Sequence, residues 1–498
     1  MYRPNQASRM VLSAIQTRME ETKVAHADDL QRASELEALL ASLQAEHNSI
    51  TNQIAPISSL PNELLNAIFN FLFVSTSWTK PAIEVVLSHV NRRFRDCATS
   101  IRSFWTRIRV SLCTPFDMVI TYLQRSGTSP FDLCFCFNID VDDMDRSAGS
   151  IPYSYVLLYS TTEWNTIMSC MTRCRRLFIQ CNKPNITADL ISRLSAVEVP
   201  LLQSFRIKYD GGCYESYSGS HYRIFMVSDA PSLMSVRIEG WSLCNCLPPL
   251  SSVTSLTLMR PTQWMTWTDF REMISGHPAM TRLVVGDIFD NYFLPDNFES
   301  TVLLPSLKFL RICADHDGPL ADQVLLAISA PALEFLVLNI DGFTDISRPF
   351  RIANRVPYLR YCGVSVLPGG KAVSRESWTS FCSSFPGITN FALLTDSDRT
   401  GSSDHLITAL NYSSANSVSS AAPHLFPELH TLSFGHISVH TATTLRDLVS
   451  NRQRLSSLHL PADILNDEAF ASTLDRLLEC VEVEEYQAHI WEGDDDNI

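Results

Sequence analysis

The hydrophobic pattern of this chain repeats over more than half of its length. From Leu202 onward, apolar residues recur at positions i, i+3 and i+5, and a proline often lies two residues before the first of them. Short apolar patterns of this kind predict β-strands, and an X-Pro corner favours the extended backbone that leads into a strand. The triplets are Leu202-Phe205-Ile207, Leu233-Val236-Ile238, Val253-Leu256-Leu258, Met280-Leu283-Val285, Leu307-Leu310-Ile312, Leu333-Leu336-Leu338, Leu359-Cys362-Val364, Ile388-Phe391-Leu393, Leu429-Leu432-Phe434 and Leu455-Leu458-Leu460, with Cys174-Leu177-Ile179 as a degenerate first copy.

From Val253 the triplets follow one another at intervals of 27, 27, 26, 26, 29, 41 and 26 residues. The segments between them predict helices, so each unit is a strand, a turn, a helix and a turn. One unit cannot bury its apolar face alone, and the copies are therefore expected to stack into a solenoid. The predicted helices are Trp267–Ser275, Asp322–Ser329, Ser377–Ser384, Thr441–Asn451 and Asp467–Glu482, with a further short helix around His405–Leu410 inside a surface insertion at 397–420. This arrangement resembles an irregular leucine-rich-repeat domain.

Before the repeats, the apolar residues have the spacing of short amphipathic helices. Pro61 suits the first position of a helix, because its φ is already near the helical value and it has no amide hydrogen to lose. The helix that it begins carries Leu64, Leu65, Ile68, Phe69 and Leu72 on one apolar stripe. A second helix is predicted from Thr79 to Cys97. A third segment, Ile101–Ile108, adds Phe104 and Trp105 and completes a predicted three-helix core.

The same region resembles an F-box in residue type and order. Leu60-Pro61-x-Glu63-Leu64-Leu65 is followed by Ile68 and Leu72, then by Val90-Asn91-Arg92-Arg93-Phe94-Arg95 and a single Trp105. The resemblance implies a docking surface for the Skp-type adaptor of cullin-RING ubiquitin ligases. By position, the adaptor contacts would be Leu60, Pro61, Leu64, Ile68, Leu72 and Val90, with Phe69, Phe94 and Trp105 as internal packing. The Phe73–Pro81 connection is longer than the family usually has. The amphipathic helix alone would favour the core of an ordinary bundle, whereas its combination with the Leu-Pro-x-Glu start, Val-x-Arg-x-Phe-Arg and the downstream Trp105 favours the F-box.

A helix is also predicted from Leu12 to Ile54, where a seam of three- and four-residue steps is strongest from Leu36 onward. Two interpretations remain open. The helix forms a coiled coil that gives a homodimer, or it packs back on its own chain. Thr22, His26 and other polar residues at core positions weaken the coiled coil.

In a stacked array, residues i+2 and i+4 of each strand point away from the buried apolar positions. Arginine and aromatic side chains dominate the energetics of protein interfaces. We therefore predict a target-binding strip, with mere solvation of these side chains as the alternative. The strip comprises Arg206, Arg237, Arg282, Phe309, Arg311, Phe335 and Tyr361.

Composition limits the classes of function. The formal charge of −14 argues against a nucleic-acid or anionic-membrane binder, which needs clustered Lys and Arg. No stretch of about 18 apolar residues is present, and Met1–Ile15 does not have the pattern of a signal peptide. An intracellular protein, in the cytoplasm or the nucleus, is therefore expected. Most of the 14 cysteines are expected to be free and buried, because they lie scattered within apolar segments.

We find no catalytic motif for phosphate, dinucleotide, acyl or metalloprotease chemistry. The pairs Cys134/Cys136 and Cys244/Cys246 suggest a zinc site, but they lie about a hundred residues apart and on separate repeats, so no metal or other cofactor is expected.

The sequence therefore predicts an α/β protein with five regions: an N-terminal helix at 1–56, an F-box at 57–110, a lead-in at 111–170, a leucine-rich-repeat-like solenoid at 171–482 and an acidic tail at 483–498. The expected function is that of a non-catalytic substrate receptor of an SCF-type ubiquitin ligase, with the adaptor, the cullin and an unknown target protein as partners. The alternative is a repeat scaffold without ubiquitin-ligase output, and an enzyme is a third hypothesis.

Overall fold

The structure is a computed structural model and describes residues 6–75, 82–111, 113–138, 159–211, 224–225, 230–241, 246–261, 265–286, 288, 301–313, 324–325, 327–340, 356–366, 373–394, 401–415, 425–438, 441–468 and 470–486. The chain divides into two compact units, Met1–Phe104 and Trp105–Ile498. The first unit is helical. The second is a long parallel β-sheet with interspersed helices, so the fold is α/β.

The first unit begins with a helix of 49 residues, which confirms the predicted N-terminal helix. All residues from Arg9 to Thr51 are exposed. The helices of this unit are α1 (Gln6–Ile54), α2 (Asn62–Ser75), α3 (Ile83–Val90) and α4 (Arg92–Ser100), with 3-10 turns at Pro56–Ser59 and Arg102–Thr106.

Aromatic side chains form the core of this unit. Phe69 of α2 meets Phe94 of α4 edge-on, with ring centroids 5.1 Å apart. Phe73 stacks on Phe104 with a centroid distance of 5.2 Å. Leu65 is also fully buried. The stripe predicted on α2 therefore splits: Leu65, Phe69 and Phe73 face the core, and the remaining apolar residues do not.

The prediction of one continuous helix from Thr79 to Cys97 is wrong within the described residues, because Asn91 separates two helices. Its backbone is extended (φ −158°, ψ 175°), and its side-chain oxygen accepts a hydrogen bond from the amide of Phe94 at 2.8 Å. An N-cap in this geometry satisfies an amide that a new helix would otherwise leave unpaired. Residues 76–81 of the long connection lie outside the described residues.

The third helical segment is also not as predicted. Arg102–Thr106 is only a 3-10 turn, and Arg107–Ser111 already forms a strand. Phe104 packs on α2, whereas Trp105 belongs to the second unit, where it is buried edge-on against Tyr122 at 5.0 Å. The adjacent aromatic residues thus contribute to different cores.

Within its described residues, the second unit contains a 14-stranded sheet in which every neighbouring pair is parallel. Its order is β1-β2-β3-β4-β5-β6-β7-β9-β11-β12-β13-β14-β15-β16, and β8 pairs separately with β10. The strands are β1 (Arg107–Ser111), β2 (Phe131–Phe137), β3 (Cys174–Cys181), β4 (Ser204–Tyr209), β5 (Ser235–Glu239), β6 (Ser255–Met259), β7 (Arg282–Gly286), β8 (Val302–Leu303), β9 (Phe309–Cys313), β10 (Ile328–Ser329), β11 (Phe335–Ile340), β12 (Tyr361–Val366), β13 (Asn390–Leu393), β14 (Thr431–Phe434), β15 (Ser457–Leu460) and β16 (Glu482–Glu485).

The i+3 and i+5 residues of every predicted triplet lie on a strand of this sheet, which confirms the strand prediction. The first residue of each triplet lies two residues before its strand, except Cys174, which begins β3. The sheet also includes β1 and β2, which precede the predicted start of the array at residue 171.

The acidic residues Glu482, Glu484 and Glu485 form the edge strand β16, so the prediction of a helix ending in solvent at Glu482 is wrong. Backbone pairing with β15 outweighs their charge, because the amide of Glu482 bonds to the carbonyl of Ser456 at 3.0 Å.

The helices of the second unit lie between strands in the sequence. They are α5 (Phe116–Ser126), α6 (Thr161–Ser169), α7 (Pro184–Leu194), α8 (Trp267–Ser275), α9 (Arg375–Ser384), α10 (Ser402–Ala415), α11 (Ala442–Asn451), α12 (Ala462–Leu465) and α13 (Ala471–Leu478). The prediction at Asp322–Ser329 is wrong at its end, since Ile328 and Ser329 pair with β8 as a strand. Of the predicted insertion 397–420, the part that is described is α10; residues 395–400 and 416–424 lie outside the described residues, as do 139–158 and 487–498.

Helices cover one face of the sheet, which we call the helical face. On α9, the ring of Trp378 meets Phe391 of β13 at 6.0 Å, and Phe381 lies 6.3 Å from the same ring. Phe391 is the i+3 residue of its repeat, and the i+3 and i+5 residues of the other repeats are buried likewise. The opposite side of the sheet, which carries residues i+2 and i+4, is called the ladder face below.

Candidate protein-interaction surfaces

Helix α2 has a second apolar stripe, directly beside the one that it buries. Leu64, Ile68 and Leu72 are exposed there, as the resemblance required of adaptor-contacting residues. Phe71 flanks Leu64 on the helical wheel, two turns further along α2, and is 74% exposed, the highest value of the four. Sequence reasoning missed Phe71, because it followed the spacing of the stripe and the family positions; its large apolar side chain one position before Leu72 was the available signal.

Helix α3 shows the same division on a smaller scale. Leu87 is buried, whereas Val86 and Val90 on the neighbouring part of the helix surface are exposed. The structure thus places the predicted residue Val90 on a solvent-facing stripe and adds Val86 to it. Helices α2 and α3 pack against each other within the first unit.

The start of α2 is held by a polar contact from α4. The guanidinium of Arg93 donates to the carbonyl oxygen of Leu60 and to the side-chain oxygen of Asn62, the latter at 2.7 Å. Pro61 is exposed, and its carbonyl accepts hydrogen bonds from the amides of Leu64 and Leu65 at 3.1 Å. Arg93 therefore fixes the turn on which Leu60 and Pro61 lie.

On the second unit, four of the predicted target-binding residues form one row across neighbouring strands. The guanidinium carbon of Arg282 on β7 lies 3.8 Å from the ring centroid of Phe309 on β9. Phe335 on β11 follows at 6.4 Å from Phe309, and Tyr361 on β12 stacks on Phe335 at 4.1 Å with nearly parallel rings. We call this row the aromatic ladder. The strand register explains it, because these residues are directly paired across the three strand junctions.

Arg311 lies in the next row of the same face, paired between Val284 and Val337. It is half-buried beside the ladder. The five residues together offer stacked aromatic rings flanked by two guanidinium groups. Such a surface suits a partner with an aromatic or planar side chain and negative charge.

The other two predicted residues are in a different environment. Arg206 and Arg237 lie on β4 and β5, and both form ion pairs with the carboxylate of Glu239, the Arg206 pair at 3.7 Å. Arg206 also lies over the ring of Phe178 at 5.0 Å. Glu239 at position i+6 was not predicted as part of the strip. It neutralises part of the charge at this end, so the strip is not uniformly basic.

Part of the i+4 row is buried rather than exposed. Val337 and Ala392 on this row are 1% and 0% exposed, and Thr257, Val284 and Ser433 are buried as well. Phe309, Tyr361, Leu394 and Tyr486 pack against the cluster formed by Val337 and Ala392. Part of the ladder face is therefore covered rather than open to water.

The buried cysteines among the described residues lack the features of reactive thiols. Burial, with a smaller contribution from the neighbouring Cys136, raises the pKa of Cys134 to about 12. Burial also raises the pKa of Cys174, Cys246 and Cys362. These thiols stay protonated near neutral pH. Cys244 lies outside the described residues, and within the part that is described no three His, Cys, Asp or Glu side chains are grouped to hold a metal ion.

Comparison with known proteins gives little guidance. No protein-family model matches the sequence, and no curated protein matches it significantly. Among solved structures, a crystal structure of a Bacteroides fragilis protein is similar over 66% of this chain and 74% of that one, with 12% identity and a TM-score of 0.27. None of the helices in the described ranges is long and apolar enough to cross a membrane.

Proposed function

We propose that the protein is a non-catalytic substrate receptor of an SCF-type cullin-RING ubiquitin ligase. In this proposal, the region 57–110 acts as an F-box that binds a Skp-type adaptor. The sheet of the second unit acts as a leucine-rich-repeat-like domain that binds a target protein. The receptor contributes proximity: it raises the concentration of the target near the ubiquitin-charged enzyme.

The observation that carries the proposal is the two-sided character of α2. One face buries Leu65, Phe69 and Phe73, and the other leaves Leu64, Ile68, Phe71 and Leu72 in solvent. A bundle that needed this stripe for its own core would have covered it. Exposing large apolar side chains along one helix face is costly unless a partner covers them, since each gains about 1.5–3 kcal/mol on full burial.

The target-binding role is proposed for the strip, and above all for the aromatic ladder with Arg311. The described structure supports it through the contacts between Arg282, Phe309, Phe335 and Tyr361, which pre-organise the rings. A pre-formed surface loses less side-chain entropy on binding than one that must be ordered. Arg206 and Arg237 extend the strip, with Glu239 setting its charge.

The test is co-purification of the full chain with an adaptor and a cullin. The wild-type protein is expected to recover both, and Leu60→Ala combined with Pro61→Ala is expected to reduce their recovery at unchanged receptor level. Val74→Ala is the control, because Val74 is an exposed apolar residue of α2 outside the proposed contacts. Recovery that is the same for the double variant as for the wild type would contradict the proposal.

The alternative function is a repeat scaffold that assembles through α1 and has no ubiquitin output. The observation that favours it is the exposure of Leu36, Leu40, Leu43 and Ile50 on one long helix. Under this alternative, Leu36→Gln, Leu40→Gln and Leu43→Gln together abolish self-association measured by light scattering. Under the receptor proposal, the same variant recovers the adaptor as the wild type does.

A further inference from the structure

Helix α1 leaves its apolar seam in solvent. Leu36 and Leu40 are 66% and 67% exposed, and Leu43 and Ile50 are each more than half exposed. Most of the stability of a helix in a protein comes from packing an amphipathic face against other elements. Among the described residues nothing packs on this seam, although the helix continues for 49 residues. The seam is therefore available to a partner.

The seam also faces away from the other helices of its own unit. A cavity beside α4 is lined on the α1 side by Ala45, Asn48, Ser49 and Asn52. Asn52 lies two positions after Ile50, which is about 200° around a helix with 3.6 residues per turn. Helix α1 thus turns its polar side toward α4, and its seam does not pack back on the described part of the first unit.

The seam has the heptad spacing of a coiled coil from Thr22 to Ile54. Counted with Leu40 at position a, the a positions are His26, Ala33, Leu40, His47 and Ile54, and the d positions are Thr22, Asp29, Leu36, Leu43 and Ile50. A second helix with the same spacing covers such a stripe, since the side chains of each helix fit between those of the other. A second copy of α1 offers this spacing over about 50 Å of helix, at 1.5 Å for each residue.

The charged residues of α1 disfavour a parallel pair. In that orientation each core position meets its own copy, so Asp29 would face the Asp29 of the second copy. At the flanks, Arg18 would lie beside Lys23 of the second copy and repel it. Arg32 would lie beside Glu37 and attract it, so the flanks do not offset the repulsion in the core.

An antiparallel pair has one register that suits these residues. Position a of one helix then meets position d of the other, and Leu40 of each copy packs on Leu36 of the second. In the same register Asp29 lies opposite His47, whose ring can donate a hydrogen bond to the carboxylate, and symmetry repeats this contact. A polar core pair that is satisfied in only one alignment fixes the register of a coiled coil.

The flanks of the antiparallel register also bring opposite charges together. Arg32 and Glu46 both occupy g positions, and Arg32 of each copy lies beside Glu46 of the second. In the single helix Arg32 has an exposed ion pair with Asp29 at 3.6 Å, and Glu46 is paired with no cation among the described residues. Glu37 meets its own copy at the e positions. This single repulsive contact is outnumbered by the two contacts of Arg32 with Glu46.

We infer that α1 joins two copies of this chain into an antiparallel homodimer, in the register that sets Leu36 against Leu40 and Asp29 against His47. The inference goes beyond the proposed function and does not rest on it, because a dimer is compatible with a receptor and with a scaffold. In a receptor, the dimer carries two copies of the strip, and a target with two binding segments is then held more tightly than by one copy.

The experiment measures the dissociation constant of the full-length dimer by analytical ultracentrifugation at low ionic strength, where exposed charge pairs are screened least. The wild type is expected to form dimers. Arg32→Glu makes both contacts with Glu46 repulsive and is expected to raise the dissociation constant about tenfold. Adding Glu46→Arg restores opposite charges and is expected to return the constant to within about twofold of the wild type.

The matched control is Arg18→Glu, which reverses the same charge at the same heptad position, but outside the overlap from Thr22 to Ile54. In the antiparallel register, this change is expected to leave the dissociation constant unchanged. In a parallel pair it would tighten the dimer, because Arg18 would no longer repel Lys23. All of these positions are exposed, so circular dichroism is expected to show the same helix content in each variant.

Three results would overturn the inference. The first is a wild type that stays monomeric at every concentration measured. The second is a rescue of Arg32→Glu by Glu37→Arg but not by Glu46→Arg, which is the result for a parallel pair. The third is a tighter dimer in Arg18→Glu.

Adaptor recovery separates this inference from the proposed function. Arg32→Glu changes only α1, and its recovery of the adaptor is expected to equal that of the wild type. If the adaptor is recovered and the chain is monomeric, the dimer inference fails and the receptor proposal stands. If the antiparallel dimer forms and no adaptor is recovered, the dimer stands and the receptor proposal fails.

Discussion

The proposed adaptor surface allows one quantitative prediction, made for the variant Leu64→Ala, Ile68→Ala and Leu72→Ala. In the free chain these side chains are 51%, 40% and 36% exposed. Full burial of such a side chain stabilises by about 1.5–3 kcal/mol, so covering the exposed part contributes roughly 1 kcal/mol for each. Truncation to alanine is then expected to weaken adaptor binding by about 2–3 kcal/mol in total, which is a factor of roughly 30 to 140 in Kd.

The assay is isothermal titration of purified full-length receptor with purified adaptor. The triple variant is expected to lose affinity while keeping its fold, because alanine has a high helix propensity and the exposed parts of these side chains contribute little to the core. Circular dichroism and thermal unfolding check this point. Adding Phe71→Ala is expected to weaken binding further, since Phe71 is the most exposed side chain of the stripe.

Two controls define what would refute the reasoning. Leu36→Ala, Leu40→Ala and Leu43→Ala remove still more exposed leucines from α1 and are expected to leave the Kd unchanged. Leu65→Ala removes a fully buried leucine and is expected to lower the free energy of unfolding by about 2–5 kcal/mol. A folded triple variant that binds the adaptor within threefold of the wild type would show that the exposed stripe of α2 is not the docking surface.

Three further predictions concern the second unit. Gly240→Ala is expected to lower the free energy of unfolding by more than Gly401→Ala. Both glycines have a positive φ, which costs other residues about 1–2 kcal/mol, but only at Gly240 would the new Cβ meet a backbone oxygen, 2.1 Å away. Equal losses of unfolding free energy in denaturant titrations would contradict this prediction. The exposed Cys480 is expected to react with a thiol reagent in the native protein, and Cys362 only after unfolding, because burial keeps the Cys362 thiol protonated. Peptide mapping by mass spectrometry identifies which of the two cysteines carries the reagent. Burial lowers the pKa of His277 below its ordinary 6.5, so its contribution to stability is present above about pH 6.5 and lost as the pH falls through the lower pKa of the folded state. When the free energy of unfolding is measured from pH 7 to pH 5, it is expected to fall less steeply in His277→Gln than in the wild type. The same dependence on pH in both proteins would contradict the assignment.

Where local pattern decides structure, prediction from sequence succeeded. Leu336 and Leu338 and their counterparts at i+3 and i+5 lie on strands, and Trp267–Ser275 is a helix with the predicted bounds. It failed where a single backbone contact competes with the pattern. Asn91 interrupts a long apolar stripe by capping a new helix, and Ile328–Ser329 leaves a predicted helix to pair with β8. Neither outcome changes the apolar spacing from which the helices were predicted.

For the candidate surfaces as well, some features could be predicted from the sequence and others could not. The residue types of the strip were readable from the strand period, which fixes the face on which each side chain lies. The division of the strip into an aromatic ladder and a set of ion pairs could not be read from the sequence. The ladder from Arg282 to Tyr361 and the ion pairs at Glu239 depend on the register between strands that are far apart in sequence. On α2, the stripe was readable, but its split into a buried and an exposed half depends on where Phe94 and Phe104 pack.

The sequence by itself determined the long N-terminal helix, the amphipathic helices after it and the succession of strands, because each follows from spacing within some ten to thirty residues. Only the tertiary structure decided which apolar residues stay in solvent, which arginines are already paired, and that Tyr486 covers Val337 and Ala392. Burial is a property of all neighbours together, and residues that approach across a parallel sheet are separated by whole repeats. Their contact therefore leaves no periodic trace in the chain.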